Sequence, residues 1–181
     1  MQHTVAFDSK TSKIAKKEKY FVHQNIEGVK ILPLNYIPTE DGYFLELFRL
    51  KKGNSLEIFP EFKVQQVSVS SLEPGGVKAW HVHTLQDDIW FVPPNDRLLV
   101  GLQDTREASR SKGNVMRLVL GASSSFLLYI PRGVAHGCSN NSLSAVTLFY
   151  ITNRQFNKND PDEYRLPWDN LGKDFWNIKK G

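Results

Sequence analysis

Two short segments decide the fold, Gly75-Gly76-Val77-Lys78-Ala79-Trp80-His81-Val82-His83 and Ile130-Pro131-Arg132-Gly133-Val134-Ala135-His136-Gly137. The first segment predicts a strand, in which residues two apart project from the same face. His81 and His83 would then share one face. His136 follows a Pro-x-Gly turn in the second segment. Three imidazoles from two distant segments could meet in one site, which could hold a metal ion or transfer a proton.

The spacing of these residues resembles the two short motifs of the cupin barrel. In the first motif a glycine is followed by His-x-His and then by an acid, and its residues here are Gly75, His81, His83 and Asp87 or Asp88. In the second motif a Pro-x-Gly turn is followed by His and Asn, and its residues here are Pro131, Gly133, His136 and Asn140. Together the two motifs favour a jelly roll, a fold that hosts many functions.

The rest of the chain has the sequence pattern of an all-β protein. Short strand-like segments, separated by Gly, Pro and Asn turns, cover residues 29–34, 43–49, 62–70, 78–83, 88–92, 97–102, 115–120, 126–130 and 145–152. We therefore expect an all-β cupin jelly-roll barrel, which the tail at 157–181 covers as a short helical or irregular cap. We assign one domain to residues 20–181. Residues 1–19 form a polar, lysine-rich arm, in which Ser9 or Thr11 could cap a short helix.

The composition narrows the class of partner and the compartment. A net charge of +4 over 181 residues permits an anionic ligand but does not favour nucleic acid. The longest apolar run, residues 126–131, is far too short to span a bilayer, and the N-terminus lacks an apolar leader segment. The single cysteine, Cys138, cannot form an internal disulfide, which fits a reducing compartment. We expect a cytoplasmic protein that binds neither nucleic acid nor membrane.

Two kinds of chemistry are open to the histidines. As metal ligands, the three imidazoles and one carboxylate would suit Fe, Mn, Ni or Zn, and the candidate set is His81, His83, Asp87 and His136, or Asp88 in place of Asp87. In proton transfer, an imidazole with an ordinary pKa of about 6.5 accepts a proton at neutral pH. Removing a proton beside a ketone needs such a base, together with a group that stabilises the enolate oxygen.

Longer segments carry a more specific resemblance, which runs from about residue 26 to the C-terminus. They are residues 41–49, 66–68, 78–81, 101–106, 130–137, 149–150 and 167–169. Together these segments resemble the dTDP-4-dehydrorhamnose 3,5-epimerases and their relatives among the nucleotide-sugar cupins. The resemblance implies an isomerase of polysaccharide biosynthesis that acts without a cofactor on a nucleotide-linked 4-keto-6-deoxyhexose. It also implies a homodimer, in which the segment at 41–49 lies against the nucleotide of a neighbouring subunit.

The resemblance also implies roles for individual residues. His81 would remove a proton beside the ketone, and Tyr150 would return one to the opposite face. His136 would lie near the ketone or orient its neighbours, and His83 is a further catalytic candidate. The candidates for substrate binding are Lys78, Gln66, Phe44, Glu46, Arg49, Asp88 and Trp168.

Lys78 would contact a phosphate of the nucleotide, but its position poses a problem of parity. Lys78 lies three residues before His81, so a regular strand would point the two side chains to opposite faces. A bulge after Gly76 would bring them to one face.

Two departures from the family pattern keep alternatives open. Asp88 stands where the family has an enolate-stabilising lysine, and the resemblance places no aspartate beside His81. One alternative is a nucleotide-sugar 3,4-ketoisomerase that uses His81 and His83 as paired base and acid. The others are a metal-dependent cupin enzyme and a sugar-binding cupin without catalysis.

Overall fold

The computed structural model describes residues 4–17, 24–123 and 126–178, which form mostly antiparallel strands. Helix α1 (Ser9–Ile14) comes first. Twelve strands in the described residues follow: β1 (Lys30–Pro33), β2 (Tyr36–Thr39), β3 (Gly42–Leu45), β4 (Gln66–Leu72), β5 (Val77–Val82), β6 (Asp88–Phe91), β7 (Arg97–Asp104), β8 (Val115–Gly121), β9 (Phe126–Ile130), β10 (Val134–Ser139), β11 (Val146–Thr152) and β12 (Tyr164–Arg165). A 3₁₀ helix, Lys173–Trp176, follows β12. None of the helices in these ranges has the length and apolar run that a membrane span requires.

The strands form two five-stranded antiparallel sheets. The first sheet has the order β1-β9-β6-β11-β4, and the second has the order β12-β5-β10-β7-β8. Within the described ranges, β2 and β3 pair only with each other, as a separate hairpin. Strands that are neighbours in a sheet are often far apart in sequence, as in a jelly roll. The prediction of an all-β jelly roll is confirmed.

The main hydrophobic core lies between the two sheets. Inward side chains of β4, β6, β9 and β11 pack there with those of β7, β8 and β10. A second cluster covers the outer face of the first sheet, where Leu56, Phe59 and Phe62 pack on Ile89 and Phe91. Strand β6 is therefore buried on both faces, as is β10 in the second sheet.

The C-terminal tail covers the outer face of the second sheet. Phe175 and Trp176 of the 3₁₀ helix pack on Trp80 of β5, with ring centroids 5.2 and 4.9 Å from the Trp80 ring. Gly101 of β7 makes room for this packing, since a Cβ atom there would lie 2.6 Å from Phe175 and 2.8 Å from Trp80. The expected tail cap is thus present.

Several boundaries differ from the sequence-based expectation. Strands β2, β10 and β12 were not predicted, and β3 ends at Leu45 instead of continuing to Arg49. Helix α1 is capped by Asp8, whose carboxylate accepts hydrogen bonds from the backbone N–H groups of Lys10 and Thr11, so the prediction of Ser9 or Thr11 as the cap is wrong. The predicted boundary between arm and domain, at residues 19 and 20, lies outside the described residues.

Candidate active site

A cavity of about 570 Å³ lies between the two sheets. Strands β4, β6 and β11 of the first sheet and strands β5 and β10 of the second contribute to its walls. Residues 154–157, 160, 162, 163 and 165 line it as well. The cavity therefore collects side chains from segments that are far apart in the sequence.

The three histidines of the two motifs meet in this cavity. His81 and His83 project from β5 and the residue after it, and His136 projects from β10. The His136 ring centroid lies 6.0 Å from that of His81 and 5.2 Å from that of His83. The alternation of a strand correctly predicted that His81 and His83 share a face.

A β-bulge brings Lys78 to the same face as His81. In the pairing of β10 with β5, His136 lies opposite His81, whereas Cys138 lies opposite Lys78. Two residues on β10 thus correspond to three on β5, and the extra residue lies between Lys78 and His81, not directly after Gly76. Lys78 consequently lines the cavity, where its ammonium group donates a hydrogen bond to the Ser71 carbonyl oxygen over 3.1 Å.

The opposite wall is made by β11 and β4. Tyr150 lines the cavity from β11, where it lies between Trp90 of β6 and Ser68 of β4 in the pairing register. Gln66 of β4 also lines the cavity, and its amide oxygen accepts a hydrogen bond of 2.9 Å from the backbone N–H of Phe156. A phenol and an imidazole thus face one enclosed space from two different sheets.

Glu163 is the carboxylate nearest to His81, and sequence reasoning missed it. Its Oε1 lies 3.5 Å from Nδ1 of His81. Strand β12 pairs with β5 so that Arg165 lies opposite His81, and Arg165 holds Glu163 through a hydrogen bond of 2.7 Å. The two-residue strand β12 gave no pattern from which this pairing could be inferred.

The surroundings of His81 keep its imidazole neutral. Burial lowers the pKa of His81 to about 4, with further lowering by the nearby imidazole of His136 and guanidinium of Arg165, while Glu163 opposes the shift. A neutral imidazole has a free lone pair, so it can accept a proton at neutral pH. Glu163 then faces the imidazolium that forms and stabilises it.

A second group of side chains is buried deeper in the cavity. His83, Asp88 and His136 are 8%, 4% and 3% exposed, and one potential ligand atom from each lies within 4.8 Å of the others. Nε2 of His136 lies 3.7 Å from a carboxylate oxygen of Asp88. Burial lowers the pKa of His136, which favours its neutral form. These three side chains could hold a metal ion.

Asp87 does not belong to this group. Its carboxylate accepts two hydrogen bonds of 2.9 Å from the guanidinium of Arg132 and one of 2.8 Å from the amide of Asn153. Burial raises the pKa of Asp87, but the hydrogen bonds from Arg132 outweigh it and the pKa is lowered overall. Because successive residues of a strand point to opposite sides, Asp88 faces the cavity and Asp87 does not. The alternative ligand set is therefore wrong at Asp87.

Four predicted substrate-binding residues lie away from the cavity of their own chain. Phe44, Glu46 and Arg49 line a separate hollow of about 390 Å³ beside the β2–β3 hairpin. Phe44 is 57% exposed there, and Arg49 pairs with Glu46 over 2.9 Å. Trp168 is half exposed in the tail, where its carbonyl accepts a hydrogen bond from the indole of Trp176.

Two arginines in the cavity were not predicted. Arg154 and Arg165 line it together with Lys78 and give it three cationic groups. Arg154 lies just after β11, and Arg165 lies in β12, within the tail at 157–181. The same cavity also holds the carboxylates of Asp88, Asp160, Asp162 and Glu163. Because Arg165 pairs with Glu163, Lys78 and Arg154 are the cationic groups left for an anionic ligand.

Comparison with known proteins finds a family match over most of the chain. A sequence model for dTDP-4-dehydrorhamnose 3,5-epimerase matches residues 23–175. The chain is 40% identical over 155 residues to the spore coat polysaccharide biosynthesis protein SpsL of Bacillus subtilis (strain 168), across 85% of this chain and 98% of SpsL. It is 30% identical over 145 residues to the probable low-salt glycan biosynthesis epimerase Agl13 of Haloferax volcanii, across 80% of this chain and 90% of Agl13.

A solved structure adds a match at the level of the fold. The dTDP sugar isomerase from Desulfovibrio desulfuricans G20 superposes with a TM-score of 0.69 at 28% identity, across 81% of this chain and 88% of that one. The match of the family model over most of the chain and the identity to SpsL lead to one conclusion: the chain belongs to the dTDP-4-dehydrorhamnose 3,5-epimerase family.

Proposed function

We propose that the protein is an epimerase that inverts carbon atoms beside the ketone of a nucleotide-linked 4-keto-6-deoxyhexose. The observation that carries this proposal is the neutral, half-buried imidazole of His81, which has Glu163 behind it and shares its cavity with the phenol of Tyr150. The names of two relatives, which refer to spore coat polysaccharide and glycan biosynthesis, support a role in making polysaccharide or glycan.

The reaction is a proton removal followed by a proton return. His81 accepts the proton from the carbon beside the ketone, and the electrons of the C–H bond move into an enolate. Tyr150 then donates its phenol proton to the opposite face of the enolate carbon. No redox change occurs. His81 and Tyr150 recover their starting protonation states by exchange with solvent.

The cationic groups of the cavity provide a binding site for the nucleotide diphosphate. Lys78 and Arg154 supply positive charge on the same cavity that holds His81. Two negatively charged phosphate groups satisfy such a pair better than a neutral sugar does. Gln66 supplies an amide for a neutral hydroxyl or base group.

We further propose a homodimer. Two apolar side chains are exposed on the outer face of strand β4 at the edge of the first sheet, Val67 at 57% and Val69 at 61%. Phe44 on the β2–β3 hairpin is exposed as well. A partner subunit on this side would cover these side chains and bring Phe44, Glu46 and Arg49 of one subunit toward the cavity of the other, as the family resemblance implies.

Two further expectations from the sequence remain proposals. One is that the protein is cytoplasmic. The other is the division of the chain into an arm at residues 1–19 and one domain at residues 20–181.

Deuterium exchange tests the proposed reaction. We would incubate the protein with dTDP-4-keto-6-deoxyglucose in heavy water and follow the sugar by NMR. Deuterium at C3 and C5, with the coupling constants of the inverted sugar, is the expected result. Deuterium at one carbon would identify a single-carbon epimerase. Tight binding of the nucleotide sugar without exchange at either carbon would contradict the proposal and favour a sugar-binding protein.

The same spectra test a 3,4-ketoisomerase. His83 favours this second candidate, because its imidazole lies in the cavity close to that of His136 and could serve as an acid next to His81. Migration of the ketone from C4 to C3 would establish it. A ketone that stays at C4 while C3 and C5 exchange would exclude it.

A further inference from the structure

The proposed reaction leaves the buried group of His83, Asp88 and His136 without a role. An enolate forms next to His81, and its oxygen needs positive charge or hydrogen-bond donors close by. Asp88 instead places a carboxylate in the same cavity, with its side chain only 4% exposed. A bare carboxylate at this depth would repel the enolate. A further component in the cavity would resolve this conflict.

The hydrogen bonds of the two histidines fix which ring nitrogens are free. Nδ1 of His136 lies 3.0 Å from the carbonyl oxygen of Val134, and Nδ1 of His83 contacts the carbonyl oxygen of Asp162. A carbonyl oxygen only accepts, so Nδ1 of each ring carries a proton, and Nε2 is the ring atom left to bind a ligand in the cavity. Metal-binding histidines commonly donate their other N–H to a backbone carbonyl in this way.

The partner of His83 is itself held firmly in place. The carboxylate of Asp162 accepts hydrogen bonds of 2.7 to 2.9 Å from the backbone N–H groups of Thr84, Leu85 and Gln86 and from the Thr84 hydroxyl. The carbonyl oxygen that orients His83 therefore belongs to a residue with four further contacts. Such support keeps Nε2 of His83 directed into the cavity.

Asp88 is oriented too. One carboxylate oxygen accepts a hydrogen bond of 2.8 Å from the amide of Gln86, and the other accepts one of 3.2 Å from the indole of Trp90. The second oxygen also lies 3.7 Å from Nε2 of His136, which is too long for a direct hydrogen bond. A cation between the carboxylate and the imidazole would bridge these two atoms.

We propose that His83, Asp88 and His136 bind one divalent transition-metal ion, which stabilises the enolate oxygen during epimerisation. Two imidazole nitrogens and one carboxylate, with positions left open for a substrate oxygen, form a ligand set that such ions favour. The ion leaves His81 free to act as the base. The metal-binding site rests on geometry alone, whereas the role of the ion in stabilising the enolate rests on the proposed function. A bound metal ion departs from the expectation that no metal takes part in the reaction.

Cobalt binding tests the site without reference to catalysis. We would strip the protein with EDTA, add Co²⁺, and measure the stoichiometry, the dissociation constant and the visible ligand-field bands. One Co²⁺ per chain is expected. Asp88→Asn and, as a second variant, His83→Gln should weaken binding by roughly 100-fold. Asp160→Asn is the matched control, since this exposed carboxylate lines the same cavity outside the group.

The variants would first be checked for a wild-type circular dichroism spectrum and melting temperature. Failure of the wild-type protein to bind Co²⁺, or equal binding by folded Asp88→Asn, would overturn the site. The role of the ion is tested by deuterium exchange with the stripped and the Co²⁺-loaded protein, where we expect a rise of roughly 10-fold or more on loading. Equal rates would overturn the role. No exchange in either state, with normal Co²⁺ binding, would contradict the proposed function and not the metal site.

Discussion

At the scale of single residues, the chemistry of the site depends on the charged group that contacts each functional side chain. In the proposed reaction His81 acts as a base because it is buried and neutral, and Glu163, 3.5 Å away, stabilises the positive charge that proton transfer creates. The pair resembles the carboxylate and histidine pairs in which the acid orients the ring. Glu163 is thus a positioning residue and does not need to touch the substrate.

Replacing Glu163 tests this assignment. Glu163→Gln keeps the size of the side chain but removes its charge, so the imidazolium of His81 loses stabilisation. We expect kcat to fall roughly 10- to 100-fold with little change in KM, since the loss affects the transition state more than substrate binding. Glu163→Asp should recover part of kcat, and Glu107→Gln, at an exposed position outside the cavity, should leave it unchanged. A rise in KM at constant kcat would show instead that Glu163 binds substrate.

The sequence predicted some of these residues because strand alternation is a strong local rule. It placed His81 and His83 on one face and left Asp87 and Asp88 as equal candidates. The choice between the two acids depends on where β6 begins and on the distant Arg132, whose guanidinium donates a hydrogen bond to the Asp87 carboxylate. Glu163 could not be predicted, because its place beside His81 depends on the two-residue strand β12.

At the scale of secondary-structure elements, strand β5 joins the cavity to the outer cap. Its bulge turns Lys78 and His81 toward the cavity, while Trp80 faces outward against Phe175 and Trp176. Short strands flanked by turns were recognisable in the sequence, but the bulge was placed too early. Its position is set by pairing with β10, which single-strand patterns do not reveal.

Gly101 tests the packing of the cap. Gly101→Ala would place a methyl group 2.6 to 2.9 Å from Phe175, Trp80 and Trp176, so the aromatic rings would have to move. We expect a loss of about 1 to 3 kcal/mol in the free energy of unfolding, measured by urea denaturation. Because the cap lies on the outer face of the sheet, the affinity for the nucleotide sugar should change little. Unchanged stability would contradict the tight packing of the tail against β7.

At the scale of the whole molecule, a polar network links Glu27, which precedes β1, to the end of β7 in the second sheet. The Asp104 carboxylate, 1% exposed at the end of β7, accepts hydrogen bonds of 2.6 to 2.9 Å from Arg106, Ser109 and Ser111. Arg106 in turn donates to the carbonyl oxygen of Glu27 over 2.6 Å. The segment at 101–106 was recognisable in the sequence, but its link to Glu27 was not, because it depends on a fold that joins residues about eighty positions apart.

Asp104 makes stability depend on pH. Burial raises its pKa, but the hydrogen bonds from Arg106, Ser109 and Ser111 outweigh burial and hold the pKa well below its ordinary value of 3.8. The carboxylate therefore stabilises the fold above about pH 4, and this contribution is lost as the pH falls toward the folded-state pKa. Asp104→Asn should cost about 2 to 4 kcal/mol at neutral pH.

Urea denaturation at several pH values measures this dependence. The difference in stability between the wild-type protein and Asp104→Asn should shrink in acid. Asp160→Asn, which removes an exposed carboxylate, should differ little from the wild type at any pH. A difference between wild type and Asp104→Asn that stays constant down to low pH would contradict the role of the ionised carboxylate.

The proposed dimer can be tested at its edge strand. Val69→Lys places a charge on the exposed apolar face of β4, so a partner subunit docked there would have to bury the ammonium group. We expect analytical ultracentrifugation to find a dimer for the wild type and mainly monomer for the variant. Val119→Lys, on edge strand β8 of the other sheet, is the control and should remain dimeric. A monomeric wild type, or an unaffected Val69→Lys dimer, would contradict this placement of the interface.

The central claim is that His81 removes the proton beside the ketone. It is tested most directly by measuring deuterium uptake and nucleotide-sugar affinity together for the His81→Asn variant. We predict that the dissociation constant changes by no more than a few-fold while uptake at C3 and C5 falls by about 10²- to 10⁴-fold, the usual contribution of a positioned base. Uptake at the wild-type rate in a folded His81→Asn variant that binds the nucleotide sugar would contradict the claim.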